Sequence, residues 1–153
     1  MLRIELDDLS RSSVIALLAE HLRNMYELSP PDQVFAFDVR KLKAPEVSFW
    51  TAWRGELLLG CAALKELSSS QGEIKSMRTP SERRRTGAGR ALLNHIIDVA
   101  RSRGYQSLYL ETGRHPAFIP AQTLYERAGF RRCGPFGAYR ENGNSVFMSL
   151  SLP

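Results

Sequence analysis

One short segment of the chain, Arg84 to Arg90, combines three arginines with Gly87 and Gly89. A helix pattern begins directly after it, and the N-terminus of a helix offers unpaired N–H groups and the positive end of a dipole. Glycine lets a ligand approach the backbone closely, and guanidinium groups donate forked hydrogen bonds that match phosphate oxygens. The segment therefore predicts a site for a pyrophosphate, cradled by the backbone N–H groups of residues 85–90.

Two patterned elements must hold this loop in place. Glu73 to Thr79 can form a strand that leads into it, and an amphipathic helix runs from Gly89 to Arg103 behind it. The apolar face of that helix, at helical spacing, is Leu92, Leu93, Ile96, Ile97 and Ala100. Gly104 suits the position after a helix. Because residues 106–112 then alternate as a strand, the helix should cross over between two neighbouring parallel strands.

The remaining pattern completes an α/β fold. Leu2 to Leu6 alternates as a first strand, and Asp8 or Ser10 is placed to cap a helix that runs to about Leu28. The other predicted elements are a short helix before Pro45, strands 47–53 and 56–64 around an Arg54-Gly55 turn, a helix at 121–128, and strands 130–133 and 144–152. The order is β-α-(α)-β-β-β-α-β-α-β-β, a mixed central sheet flanked by helices.

Composition and charge limit the function classes. The 153 residues are 43% hydrophobic and 24% charged, as in a soluble globular domain. No apolar run approaches the ~20 residues that span a bilayer, and no signal peptide is evident. Cys61 and Cys133 are expected to be reduced and buried, which favours the cytoplasm. The net charge is +5, and residues 78–90 hold five arginines, one glutamate and no aromatic residue, which favours a discrete anion over nucleic acid.

Three types of phosphate-binding loop compete for this segment. A dinucleotide fingerprint, G-x-G-x-x-G, would need glycine where the chain has Leu92, although Glu111 stands at roughly the spacing of its acidic partner. The spacing weakens that interpretation without excluding it. The P-loop pattern G-x-x-x-x-G-K-[ST] is absent.

The third type is the acetyl-coenzyme A signature of the GCN5-related N-acetyltransferase (GNAT) family, Q/R-x-x-G-x-G/A. The chain matches it with Arg84 to Gly89, between a strand and a helix. Downstream, Ala121 to Phe130 resembles the family segment A-x-x-L-Y-x-x-x-G-F. The family often carries an asparagine three residues before that alanine, where this chain has Phe118. The chain thus resembles a GNAT enzyme from about residue 47 to its end, which implies one N-acetyltransferase domain over residues 1–153.

The resemblance implies acetyl-coenzyme A as the cosubstrate. The strand end at Met77 to Thr79 would hydrogen-bond the pantetheine arm and the acetyl carbonyl through its backbone, and a backbone N–H aimed at the thioester oxygen would stabilise the tetrahedral intermediate. The glycine loop would hold the pyrophosphate. The residues implied for the cofactor are Met77, Arg78, Thr79, Arg84, Arg85, Thr86, Gly87, Ala88, Gly89, Arg90 and Leu124.

Acetyl transfer to an amine needs a proton acceptor and a proton donor. The ammonium proton must leave, directly or through water. Glu73 is the first candidate for the base, because family members often use a glutamate on this strand. Glu111 on the adjacent strand and His115 in the next loop are the alternatives, and Glu111 could instead bind the substrate ammonium. Tyr125 of the second motif would protonate the departing coenzyme A thiolate.

The acceptor is expected to meet Tyr26, Glu111, His115 and Tyr139. Neither motif contains a cysteine, so direct attack in a ternary complex is favoured, and no metal is expected. The predicted reaction is acetyl transfer to a primary amine of a small molecule. A peptide N-terminus or lysine is the second possibility, and a non-catalytic acyl-coenzyme A-binding sensor is the alternative class. The sequence predicts no nucleic-acid or membrane partner and is compatible with a homodimer.

Overall fold

A computed structural model describes residues 1–35, 38–80 and 86–153 of the chain. The described strands are β1 (Arg3–Leu6), β2 (Val47–Arg54), β3 (Leu57–Ser68), β4 (Gln71–Arg78), β5 (Ser107–Gly113), β6 (Arg131–Cys133) and β7 (Ser145–Ser151). The helices are α1 (Ser12–Leu28), α2 (Val39–Leu42), α3 (Ala88–Ser102) and α4 (Ile119–Arg127). The strands form one mixed sheet in the order β1-β2-β3-β4-β5-β7-β6. The α/β class and the predicted order of elements are confirmed.

The predicted crossover joins β4 to β5. These two strands pair in parallel, whereas the other neighbours described in the sheet pair antiparallel. A parallel pair needs a long connection, and α3 supplies it by packing across the sheet. The residues that α3 buries include the predicted set Leu92, Leu93, Ile96, Ile97 and Ala100. Gly104 follows the helix with a φ of 80°, as predicted for its C-terminus.

The sheet carries a hydrophobic core on each face. One core holds Trp50 under α3 and α4, and the other holds Trp53 under α1 and α2. Cys61 is fully buried in the second core, but the prediction for Cys133 was wrong in part. Cys133 is only half-buried because it lies on β6, a three-residue strand at the edge of the sheet. Among the described helices, none is both long and apolar enough to cross a membrane.

Three local predictions were wrong. The helix α1 begins at Ser12 without a side-chain cap, because Asp8 accepts hydrogen bonds from the N–H (3.1 Å) and hydroxyl (2.5 Å) of Ser10 instead. The hairpin turn between β2 and β3 is Gly55-Glu56, shifted by one residue, with the positive φ of 59° at Gly55. The helix α4 begins at Ile119 rather than residue 121, since proline is tolerated in the first helical turn.

Candidate active site

The site forms where β4 and β5 diverge. Their pairing ends at Ile74 and Leu110, although β4 continues to Arg78 along β3 and β5 continues to Gly113 along β7. The cause is a β-bulge, because Ser76 and Met77 of β4 stand opposite a single residue of β3, and Ser76 has a φ of 54°. Beyond Ile74, the N–H and C=O groups of β4 that point toward β5 therefore have no partner in that strand. They are available to a ligand.

The gap opens into a cavity of about 980 Å³. Its walls are the C-terminal half of α1 and residues 33–35, the diverging ends of β4 and β5, and the facing parts of α3 and α4. Most of the predicted site residues line it together, namely Glu73, Met77, Arg78, Thr79, Thr86, Gly87, Ala88, Gly89, Arg90, Glu111, Leu124 and Tyr125. Arg84 and Arg85 lie outside the described residues.

The N-terminus of α3 faces this cavity. Gly87 precedes the helix with a φ of 85°, and a Cβ placed there would meet no described atom within 4 Å, so the loop is open on that side. The N–H of Ala88 donates to Thr86 Oγ1 at 3.3 Å, whereas the next N–H groups of the first turn have no carbonyl four residues before them in the helix. A Cβ at Gly89 would lie 3.4 Å from Leu124 Cδ2, which shows how closely α3 approaches α4. The arrangement suits a phosphate group.

Glu73 belongs to a buried ion pair. Glu73 as a whole residue is 3% exposed, and Lys75 Nζ donates to its Oε2 at 3.1 Å. The hydroxyl of Tyr139 donates to the same Oε2 at 2.6 Å and accepts from Lys75 at 2.9 Å. Burial lowers the pKa of Lys75 and raises that of Tyr139, whose ionisation the Glu73 charge also opposes. The predicted base is thus held by two donors, and Tyr139 lies behind it rather than on the cavity wall.

Glu111 has a different environment. It lies opposite Phe147 on β7, and Ser145, two residues earlier on β7, is on the same face of the sheet. The Ser145 hydroxyl donates to Glu111 Oε2 at 2.7 Å and accepts from Asn142 Nδ2 at 3.1 Å. Burial raises the pKa of Glu111 to about 7, and the Glu73 charge raises it further. The Ser145 hydrogen bond and the Lys75 charge act in the opposite direction and lower this pKa. A carboxylate with this pKa can accept a proton near neutral pH. Sequence analysis missed Ser145, because only the register of β5 and β7 brings it to Glu111.

Tyr125 projects from α4 into the core beneath the cavity. It is 7% exposed, and its ring meets the ring of Phe130 edge-on at 5.9 Å between centroids. Burial raises the pKa of Tyr125, and the nearby Glu111 charge raises it further, so the hydroxyl stays protonated at neutral pH. Within the described residues this hydroxyl has no hydrogen-bond partner. It can therefore donate its proton to a ligand.

The side chain of Arg78 fixes α1 over β4. Its guanidinium donates to Glu20 at 2.8 Å and to Asn24 at 3.0 Å, one helical turn apart on α1. His21 lies between these two residues, and burial, helped by the Arg78 charge, lowers its pKa to about 4. Its imidazole is therefore neutral at pH 7. Burial likewise raises the pKa of Cys61 to about 12, so this thiol is not a nucleophile at neutral pH.

The other predicted acceptor residues lie apart from the cavity wall. Tyr26 is 52% exposed on α1, and His115 Nδ1 accepts the N–H of Ala117 at 3.0 Å to cap a 3₁₀ turn. Phe118, which replaces the asparagine frequent in the family, lines the cavity. A Cβ at Gly113 would lie 2.3 Å from the Phe118 ring, so any larger residue there would displace that ring. Here the ring fills the space beside the end of β5.

Comparisons with known proteins decide the family. The family model described as acetyltransferase (GNAT) family matches residues 13–130. The chain belongs to the GNAT family, and as a member it is an acyltransferase. An uncharacterised N-acetyltransferase of Bacillus subtilis, YsnE, is 48% identical over 99% of this chain and 100% of its own.

Solved structures agree with this assignment. A Klebsiella pneumoniae structure described as an acyl-CoA N-acyltransferase has 27% identity and a TM-score of 0.79, and the match covers 99% of this chain and 98% of the other. A Bacillus subtilis acetyltransferase in complex with coenzyme A has 23% identity and a TM-score of 0.68 with full coverage of both chains. The second likeness supports the fold alone. The GNAT fold class is confirmed.

Proposed function

We propose that the chain, as one N-acetyltransferase domain over residues 1–153, transfers the acetyl group of acetyl-coenzyme A to a primary amine of a small molecule. The observation that carries this proposal is the gap between β4 and β5. Its cavity joins four features that acetyl transfer needs: unpaired β4 backbone, the open N-terminus of α3, a carboxyl group with a pKa near 7, and a protonated tyrosine.

The cosubstrate fits the residues that line this cavity. The backbone N–H groups from Gly87 to Arg90 would hold the pyrophosphate, and the guanidinium of Arg90 can add charge. The free backbone of Met77 to Thr79 would bind the pantetheine arm, because β4 presents an unpaired edge to the gap. Leu124 of α4 closes this side of the cavity. Arg84 and Arg85 are proposed to assist on the sequence motif alone.

Among the alternatives that the sequence left open, we assign the base to Glu111. The Glu73 carboxylate already accepts hydrogen bonds from Lys75 and Tyr139, whereas Glu111 is bonded by the neutral hydroxyl of Ser145. Glu111 takes a proton from the substrate ammonium, and the neutral amine attacks the thioester carbonyl. A backbone N–H of β4 stabilises the oxyanion. As the C–S bond breaks, Tyr125 gives its proton to the departing thiolate. The attacking nitrogen then loses its second proton, which returns to the Tyr125 phenolate directly or through solvent, and the neutral amide remains.

The environment of Cys61 supports direct attack of the amine in a ternary complex. Cys61 is buried with a raised pKa, and its thiol donates to the carbonyl oxygen of Ser76 at 3.3 Å. Cys61 is therefore a poor candidate for the residue that would carry the acetyl group in an acetyl-enzyme.

The free cysteines Cys61 and Cys133 also support a cytoplasmic location. A homodimer is proposed as well, since Leu6 on the edge strand β1 leaves apolar surface exposed. Light scattering tests that assembly.

The proposed function is tested by steady-state kinetics of free thiol release from acetyl-coenzyme A with a panel of amines. We expect amine-dependent release and intersecting double-reciprocal plots, which indicate a ternary complex. Parallel plots would contradict direct attack. Tight coenzyme A binding without release for any amine would instead support the sensor, and acetylation of peptides alone would support a protein acetyltransferase.

A further inference from the structure

Four apolar side chains form one wall of the cavity. Met25 and Leu28 come from the last two turns of α1, and Val34 and Phe35 follow the turn after it. All four are half-buried, so they keep apolar surface that a ligand can cover. We call these four residues the acceptor wall. Because covering apolar surface is favourable, the acceptor wall favours a ligand with an apolar arm.

The acceptor wall is connected to the buried acidic groups through Tyr139. The ring of Phe35 packs edge-on against the ring of Tyr139, with centroids 5.1 Å apart. The Tyr139 hydroxyl donates to Glu73, whose charge in turn acts on Glu111. An apolar arm on the acceptor wall can therefore belong to the same molecule as an amine at Glu111.

The charges around this part of the cavity cancel except for one. Arg78 pairs with Glu20 at 2.8 Å, and Lys75 pairs with Glu73 at 3.1 Å. None of the ion pairs between described residues includes Glu111, whose hydrogen bond comes from a neutral hydroxyl. The nearby His21 is neutral at pH 7. Once Glu111 is ionised, this side of the cavity has one negative charge to offer.

We infer that the acceptor is a primary amine with one positive charge and an apolar arm, rather than a polyamine or an amino acid. Its ammonium group faces Glu111, and its arm covers the acceptor wall. A second ammonium group would have to be desolvated without a further carboxylate to pair with, because Glu73 and Glu111 are the only acidic residues among the described residues that line the cavity. A carboxylate beside the amine would lie against Glu73 and Glu111. The inference rests on the proposed function, because it assumes that an amine is acetylated in this cavity.

Matched acceptors test the inference through thiol release from acetyl-coenzyme A. We expect kcat/KM to be at least tenfold higher for n-hexylamine than for 1,6-diaminohexane, and for phenethylamine than for phenylalanine. Within each pair the second compound is the first with one charged group added, an ammonium group in 1,6-diaminohexane and a carboxylate in phenylalanine. Between n-propylamine and n-hexylamine we expect kcat/KM to rise about fourfold per methylene, the ratio typical of burying one such group.

A charge placed on the acceptor wall should change the preference. Met25→Glu adds a carboxylate to a half-buried helical position, and Met25→Gln is its control of equal size. We expect Met25→Glu to raise the ratio of kcat/KM for 1,6-diaminohexane over n-hexylamine at least tenfold, and Met25→Gln to leave that ratio within about twofold. Coenzyme A binding, measured by calorimetry, checks that both variants are folded.

The outcomes separate this inference from the proposed function. If the unmodified chain acetylates 1,6-diaminohexane or phenylalanine as well as the matched monoamine, the inference is wrong and the acetyltransferase function stands. An unchanged ratio in Met25→Glu, with coenzyme A binding intact, also overturns the inference. If no amine is acetylated, both fail together.

Discussion

Removing the Ser145 hydroxyl should raise the pH at which the enzyme becomes active. Ser145 is fully buried, and its hydroxyl donates to Glu111 Oε2 at 2.7 Å. A donor to a carboxylate stabilises the ionised form, so this bond lowers the pKa of Glu111 against the effect of burial. In Ser145→Ala the ionised form loses that support. The pKa of Glu111 should therefore rise above its value of about 7.

The size of this shift follows from the energy of the bond. A hydrogen bond to a charged group contributes about 1.5–3 kcal/mol, and one pKa unit corresponds to about 1.4 kcal/mol. Part of the loss will be recovered by the Lys75 charge and by solvent in the cavity, so we expect a shift of about one unit. At pH 7 the ionised fraction of Glu111 would then fall from about one half to about one tenth, which lowers kcat/KM about fivefold. At pH 9 the variant should approach the activity of the parent.

The assay is the pH dependence of kcat/KM with one amine, measured in parallel for both proteins so that the titration of the amine cancels. Ser149→Ala on the same strand is the matched control, since the Ser149 hydroxyl has no hydrogen bond to another described residue. Ser145→Cys, with a weaker donor, should show a smaller shift. Melting temperatures monitor the loss of the Asn142 contact. An acid limb that stays in place, or moves to lower pH, would refute Glu111 as the base.

Three further predictions concern the cofactor loop, the acid and the base. Gly87→Ala and Gly104→Ala place a Cβ at similar φ values, 85° and 80°, so each should cost about 1 kcal/mol of folding stability. Calorimetry should show weaker coenzyme A binding only for Gly87→Ala. Tyr125→Phe should lower kcat about a hundredfold with the affinity for coenzyme A unchanged, while Tyr26→Phe should leave kcat unchanged. Full turnover in Tyr125→Phe would exclude Tyr125 as the acid. Burial raises the pKa of Glu111 from 4.5 to about 7, so the stability that this group contributes is present below pH 4.5 and is lost as the pH rises to 7. Over this pH range the free energy of unfolding should therefore fall by roughly 3 kcal/mol less in Glu111→Gln than in the parent. Equal pH dependence of denaturant unfolding in both proteins would contradict the raised pKa.

The crossover that positions the cofactor site could be predicted because its signals are local. The apolar face of α3, Gly104 behind it and the alternation of β5 each depend on a few neighbouring residues. The motifs likewise placed Leu124 and Tyr125 correctly on one helix, although α4 begins earlier than predicted. The N-terminus of α1 was missed because two neighbouring polar side chains, Asp8 and Ser10, bond to each other rather than to the helix.

The chemistry of the carboxylates could not be predicted in the same way, because it depends on contacts distant in sequence. Glu73 meets Tyr139 only because the chain between β6 and β7 folds back over β4. Glu111 meets Ser145 through the register of two antiparallel strands. The gap itself needs the extra residue at Ser76, and a bulge has no sequence signal when the residue is not glycine. These contacts, rather than residue types, distinguish the two candidate bases.

The central claim is that this cavity transfers an acetyl group to an amine with Glu111 as the base. The most direct measurement follows n-hexylamine and acetyl-coenzyme A by mass spectrometry while free thiol is counted, with Glu111→Gln beside the parent. We predict one acetylated amine for each thiol released, and a loss of at least a hundredfold in kcat/KM for the variant with coenzyme A binding retained. Thiol release without acetylated amine, or equal rates in the two proteins, would contradict the account.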